Sequence, residues 1–361
     1  LEFFNYGFIF QAQIGISNKL FVDIGLRIDG NTNFGTAVPA QYYPKAGVAY
    51  NISDEEFYPE DFKSVVSNLK LRASYGQTGL FPPAGTRDRT YGSASYVNES
   101  GLQFGNPGNK DLGPEKTTST DWGVDAGLLD DKISVEFSVF RQVTKNAMFS
   151  VTEDPAAGLQ FQRRNVGEIL NTGIELSVRA NIFDMEDFQF SMRGSYSTNN
   201  NEVTDMGGTA EFSIAGFAFA PMRVRVGSPV GIIRANQPVM SGDTAYLGVS
   251  QEAYLGGPTP TKTASLGIEM VLFKDLSISA LAEGAFGHYI LNQSLSRRIV
   301  NALNDPNIYQ DVLTRIPKVS AGFTPYTLNT ASSVLVESGD WFKVREISAR
   351  YRVPRDWFAG L

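Results

Sequence analysis

Residues 174–198 contain two runs in which apolar and polar side chains alternate one for one. In the first, Ile174, Leu176, Val178, Ala180 and Ile182 are separated by Glu175, Ser177, Arg179 and Asn181. In the second, Phe188, Phe190, Met192 and Tyr196 alternate with Gln189, Ser191, Arg193 and Ser195. Strand side chains point to opposite faces with a period of two, so each run has one oily face and one polar face. Residues 183–187, with acids at Asp184, Glu186 and Asp187, read as a tight polar turn joining the runs into a hairpin. The same hairpin recurs along the chain, and this recurrence restricts the fold to an all-β class.

Before it, Phe8, Phe10, Ala12, Ile14 and Ile16 form one apolar row and Leu20, Val22, Ile24, Leu26 and Ile28 the next, across a turn at Asn18 and Lys19. Residues 42–51 and then Leu69, Leu71, Ala73 and Tyr75 follow, separated by an acidic stretch at 53–61. A Gly/Pro-rich loop at 77–116 precedes Trp122, Val124, Ala126 and Leu128, which return through Asp130 and Asp131 to Ile133, Val135, Phe137 and Val139. A mixed loop at 199–261 precedes Ala264, Leu266, Ile268, Met270 and Leu272. The partner row, Leu276, Ile278, Ala280 and Ala282, lies across Lys274 and Asp275. A last long loop, 287–339, leads to a strand at 341–353.

This reading gives about eleven strands, most near the ~10 residues that a tilted membrane strand requires. Connections alternate between shorter and longer. A single alternating strand is ordinarily one half-buried strand of a soluble sheet. Five strand pairs in series, with tight turns on one side and long loops on the other, are the pattern of an antiparallel transmembrane β-barrel with long extracellular loops. Its oily face would meet outer-membrane lipid and its polar face a water-filled interior. No apolar run is long enough to cross a bilayer as a helix. Aromatic residues make up 12% of the chain, with 25 Phe and 15 Tyr, in keeping with strands and interfacial rings. Single-chain bacterial barrels close with even strand numbers, and an open edge cannot go unpaired in lipid. The expectation is therefore that the chain is part of a larger barrel.

Five segments, in order, resemble the SusC/RagA family of TonB-linked outer-membrane transporters. Asn165, Gly167, Asn171, Gly173 and Glu175 match its N-x-G-x-x-x-N-x-G-x-E hallmark. The run from Leu69 to Gly79 (Leu-Lys-Leu-Arg-Ala-Ser-Tyr-Gly-Gln-Thr-Gly) resembles K-L-R-x-S-Y-G-x-T-G, and Asn109, Leu112, Pro114 and Glu115 resemble N-x-x-L-x-P-E. Arg27, Asp29, Gly30, Phe34 and Gly35 look like R-x-D-G-x-x-x-F-G. Phe342, Arg345, Tyr351 and Pro354 resemble a late strand in which Val344 intervenes before Arg345. The resemblance implies a plugged barrel of about 22 strands, of which residues 1–361 would be a fragment, with the plug domain and the first and last strands absent. It also implies a SusD-like surface lipoprotein over the loops, TonB acting through the missing amino-terminal part, and a bulky glycan or peptide ligand.

Composition excludes several chemistries. With no cysteine and one histidine, His288, disulfides, cysteine nucleophiles and His/Cys metal sites are ruled out or nearly so. His288, at a strand exit, reads as a surface or interfacial residue. A net charge of −7 argues against nucleic acid as a partner. Asp121, Asp125, Glu136 and Glu175 lie on the polar phase of strands, where a watery lumen accounts for them better than a glycosidase-like acid pair. The oxygen-rich run at 199–205 lacks EF-hand spacing and reads as a loop start. No catalytic residue, cofactor site or metal site is expected. The candidate ligand contacts are loop aromatics: Tyr91, Tyr96 and Phe104 in one loop, and Phe212, Phe217 and Phe219 in another. The bland alternative is that these rings pack loops together. Trp122 and Trp341 read as interfacial anchors. A passive pore and a secreted β-rich binding protein stand as the alternative functions.

Overall fold

The computed structural model describes residues 4–31, 40–97, 99–152, 161–218, 220–241, 244–295 and 332–353. Eleven antiparallel strands, each hydrogen-bonded to the next in sequence, form one continuous wall. They are β1 (Asn5–Ile16), β2 (Leu20–Asn31), β3 (Gln41–Asn51), β4 (Val66–Leu80), β5 (Glu115–Leu128) and β6 (Ile133–Lys145). They continue with β7 (Glu168–Asp184), β8 (Phe188–Thr198), β9 (Lys262–Leu272), β10 (Leu276–Phe286) and β11 (Trp341–Tyr351). A short strand, Asn200–Asp205, continues β8 beside the upper part of β7. β1 and β11 are the two ends of the wall, so the barrel does not close among the described residues.

Register keeps the oily rows aligned from strand to strand. Phe10 faces Leu26 and Ile14 faces Val22, Leu71 faces Val124, Val124 faces Phe137, and Leu176 faces Phe137 on one side and Tyr196 on the other. A slip of one residue anywhere would turn a whole row to the wrong face. Tight turns fix the register at one rim. Ser17 and Asn18, Leu129 to Asp131, and Phe273 and Lys274 all take positive φ, the twist that short hairpins need.

Two irregularities reset the phase. Between β7 and β8 the pairing steps from Asn181 to Phe183, leaving Ile182 extra and returning Phe183 to the oily row, where its ring meets Phe188 at 5.5 Å. Between β10 and β11 it steps from Ala282/Val344 to Leu281/Glu346, leaving Arg345 as the unpaired residue of a β-bulge. Phe342 and Val344 above the bulge, and Ile347, Ala349 and Tyr351 below it, thereby share one face.

Among the described residues nothing covers that face. Phe8 is 59% exposed, Trp122 67% and Ile347 75%. Exposing such side chains to water forfeits about 1.5–3 kcal/mol each relative to full burial, and a contiguous oily surface of this extent marks an interaction with lipid or protein. Rings end the oily rows: Tyr42, Tyr75, Trp122, Tyr196 and Phe342 on the long-loop side, Tyr50, Phe188 and Tyr351 on the short-turn side. These are girdle positions. Trp122 lies mid-strand because β5 begins at Glu115, well before the expected start. Trp341 corrects its expectation: it opens β11 on the polar phase, with Lys343 and Arg345 over its ring at 5.3 and 5.0 Å, and Phe342 is the exposed ring there.

Each long connection described in part builds structure of its own: a hairpin (Thr90–Tyr96 with Glu99–Asn106), a pair (Met148–Thr152 with Phe161–Asn165), a four-stranded sheet from Phe212 to Tyr254 and a pair (Tyr289–Leu291 with Val336–Ser338). Val151, Val166, Val203, Met206, Phe212 and Val224 form a buried cluster under them.

Candidate functional site

The polar face of the wall is a ladder of short-side-chain bonds and ion pairs. Asp23 accepts from Gln11 Nε2 at 2.7 Å and pairs with Lys45 Nζ at 3.2 Å. Asp125 is held by Lys70 Nζ at 2.7 Å and Arg72 Nε at 2.9 Å, and Asp121 accepts from Ser74 Oγ at 3.2 Å. Further round, the hydroxyls of Ser195 and Ser265, Ser197 and Thr263, and Ser279 and Ser348 meet at 2.7 Å. Arg345 Nε reaches Glu283 Oε2 at 2.8 Å. Such a surface demands water beside it, because a partly satisfied charge in hydrocarbon is costly. The acids expected on the polar phase lie there, and Asp125 is tied to cations rather than poised for proton transfer.

The hallmark residues act as anchors between wall and loops. Asn165 Oδ1 accepts from Gly113 N at 2.7 Å, and its Nδ2 donates to Gly113 O at 3.0 Å and Asn146 O at 2.8 Å. Gly167 has φ +100, and a Cβ there would lie 2.6 Å from Asp205 O, so the position excludes other residues. Asn171 Oδ1 accepts from Asn201 Nδ2 at 2.7 Å, and Asn201 Oδ1 accepts from Val230 N at 2.7 Å. Gly173 lets Thr198 O and the Phe140 ring close on β7. Glu175, facing Ser138 and Ser197, is exposed on the polar face. Of the other matched segments, Arg27 binds Asp29, which is 3% exposed. Leu112 is fully buried, and Glu115 Oε1 accepts from Met148 N at 2.6 Å.

Residues without periodicity or motif complete the loop scaffold. Asn106 Nδ2 donates to the carbonyls of Gly85, Thr86 and Asp88. Gln162 Nε2 donates to Gly108 O at 2.7 Å. Tyr254 OH donates to Glu211, while Arg225 lies 4.3 Å over its ring. Burial, then the bond to Glu211, pushes the Tyr254 hydroxyl above the usual phenol range. Nothing in the spacing of these residues distinguishes them from ordinary loop composition.

Among the candidate aromatics whose side chains are described, Tyr91, Phe212 and Phe217 do not share one environment. Tyr91 is exposed and is the backbone partner of Phe104, and Tyr96 closes the same hairpin against Glu99. Phe212 is 5% exposed, edge-on to Phe149 in the loop core, so its ring packs loops and is covered from solvent. Phe217 opens a turn to Ala220, and Phe219 lies outside the described residues. His288 also corrects its expectation. It is 8% exposed, laid over Gly339, because that glycine has no side chain to hold the ring off. The run expected as a loop start at 199–205 is mostly strand, with Asp205 Oδ1 accepting from Gly207 N.

The family model described as TonB dependent receptor-like, beta-barrel matches residues 1–359. TonB-dependent receptor P26 of Formosa agariphila is 23% identical over 97% of this chain and 39% of its own length. TonB-dependent receptor SusC of Bacteroides thetaiotaomicron is 25% identical over 55% of the chain and 20% of its own. The solved structure of the RagAB peptide transporter superposes with a TM-score of 0.81 at 19% identity, over 99% of this chain and 42% of the other. The chain thus spans about two-fifths of the length of P26 and of that structure. Matched along nearly its whole length, with the oily face to lipid and the polar face to the lumen, the chain belongs to the TonB-dependent receptor β-barrel family of the Gram-negative outer membrane.

Proposed function

We propose that this chain is wall and loop scaffold of an energised importer for a bulky nutrient, an oligosaccharide or a peptide. In this reading the remainder of the protein supplies the plug and the contact with TonB, and a SusD-like lipoprotein closes over the long loops. The observation that carries the reading is the division of labour across one sheet. One face is uncovered oil ending in rings, the other is an ion-paired polar wall, and above them the loops are cross-braced by Asn165, Asn106 and Glu211 into a shaped outer mouth. A transporter named for peptides shares this fold, and a relative named SusC shares part of the sequence. Tyr91, with Tyr96, Phe104 and Phe217, remains a candidate ligand contact.

The test is uptake of labelled oligosaccharides and peptides by cells carrying the whole gene, with and without a proton-motive force. Uptake that collapses when the force is dissipated, and co-purification of a SusD-like lipoprotein, are expected. Uptake unchanged by dissipation would make the protein a passive pore.

A further inference from the structure

Six cations stand on the polar face of β2 to β10, the strands with a neighbour on both sides. Four are ion-paired: Arg27 with Asp29, Lys45 with Asp23, and Lys70 and Arg72 together with Asp125. The other two, Arg179 on β7 and Arg193 on β8, are direct cross-strand partners and make neither a hydrogen bond nor an ion pair with any described residue. Like charges placed opposite one another destabilise a sheet, and none of the carboxylates that line the grooves beside the pair makes a hydrogen bond or ion pair with either arginine. The surroundings leave room for an anion. Both arginines are exposed and line a groove of about 310 Å³ with Ser134, Ser177, Ser195 and Ser265, and an adjoining one of about 480 Å³ with Asn181, Ser191 and Ser279. Gly267, directly across from Arg193, has no side chain to fill the space beneath the guanidinium.

We propose that Arg179 and Arg193 form a lumenal binding site for a carboxylate. Two planar guanidiniums side by side can each offer paired N–H donors to one such group, and the serine hydroxyls around them can take the remaining lone pairs. Glu136 borders the first groove, and Glu269 and Glu346 border the second. Their negative potential favours a carboxylate group, which carries a single charge spread over two oxygens, over a phosphate group, which concentrates up to two on one centre. The site lies in the short-turn half of the wall, below the loops. The carboxylate therefore comes either from a solute in the lumen or from an acidic side chain of the same polypeptide seated there. The inference goes beyond the import reading and requires only that the polar face be the aqueous one.

The experiment uses the full-length protein in lipid nanodiscs, with sodium succinate as the probe against sodium chloride of equal ionic strength. If the site is open, succinate binds, and its dissociation constant rises at least tenfold in Arg179→Gln/Arg193→Gln and in the charge-keeping Arg179→Lys/Arg193→Lys. If a side chain of the same polypeptide fills the site, the wild type ignores succinate. The glutamine variant then loosens that segment, seen as at least tenfold faster proteolysis outside the barrel wall, with the wall itself still folded. Either result supports the assignment. Wild type and both variants identical in succinate binding and in proteolysis would overturn it, as would inorganic phosphate binding more tightly than succinate.

Discussion

At the scale of single residues, the family hallmark is a set of structural fasteners. Asn165 spends its whole amide on three backbone groups of two different loops. Asn165→Ala is expected to weaken local closure by about 1–3 kcal/mol, read as roughly tenfold or greater acceleration of trypsin cleavage at Arg163 and Arg164. Gly167→Ala places a side chain at φ +100 against Asp205 O and should cost a similar ~1–3 kcal/mol in the same assay. At the opposite rim Glu55 links two connections, accepting from Lys19 Nζ at 3.1 Å and Tyr50 OH at 2.9 Å. Those bonds, Lys19 first, hold its carboxyl below the ordinary carboxylate range, with burial opposing them. A depressed value means the link is intact at neutral pH and is lost as pH falls through the folded-state value. Hydrogen exchange at residues 17–19 and 52–55, corrected for the intrinsic rate, should therefore rise on acidification in the wild type. It should already be raised at neutral pH in Glu55→Gln. The hallmark letters were legible in the sequence. What they fasten was not, because Gly113, Asn146 and Asp205 are joined to them only through the fold.

At the scale of elements, period-two patterning located all eleven wall strands and the short turns between them. It failed where one face stops being oily. β5 runs on from Trp122 up to Glu115 through Thr120, Thr118 and Lys116, and β7 begins at Glu168 rather than near Ile174. Both faces are polar above the membrane, so alternation carries no signal there while the backbone ladder continues. The same blindness hid the four-stranded sheet in 199–261, whose order comes from a small loop core and from side chains such as Glu211. The bulge at Arg345 was visible only as a one-residue misfit to a motif. It is the device that keeps Phe342 and Val344 on the face of Ile347. Deleting Arg345 should turn one group of these to the lumen and abolish folded protein in the outer membrane. Arg345→Ala preserves the residue count and removes a half-exposed ion pair to Glu283, and should cost no more than about 1 kcal/mol. Heat-modifiable migration of the full-length protein separates the two outcomes.

At the scale of the molecule, everything depends on which way the sheet faces. Import, a capping partner and a carboxylate site at Arg179 and Arg193 all require hydrocarbon on one side of the wall and water on the other. Residues 1–361 contain no cysteine, so, with any cysteine elsewhere in the full-length protein replaced by serine, single cysteines carrying a nitroxide can be placed one at a time at residues 174–181 of that protein in liposomes. Collision rates with oxygen, which concentrates in lipid, and with a water-soluble nickel chelate then report the environment of each site. The expected result is strict alternation, with 174, 176, 178 and 180 oxygen-accessible and 175, 177, 179 and 181 chelate-accessible. Chelate access at Ile174, Leu176 and Val178, or no period of two at all, would contradict a lipid-facing wall and with it the assignment of every face.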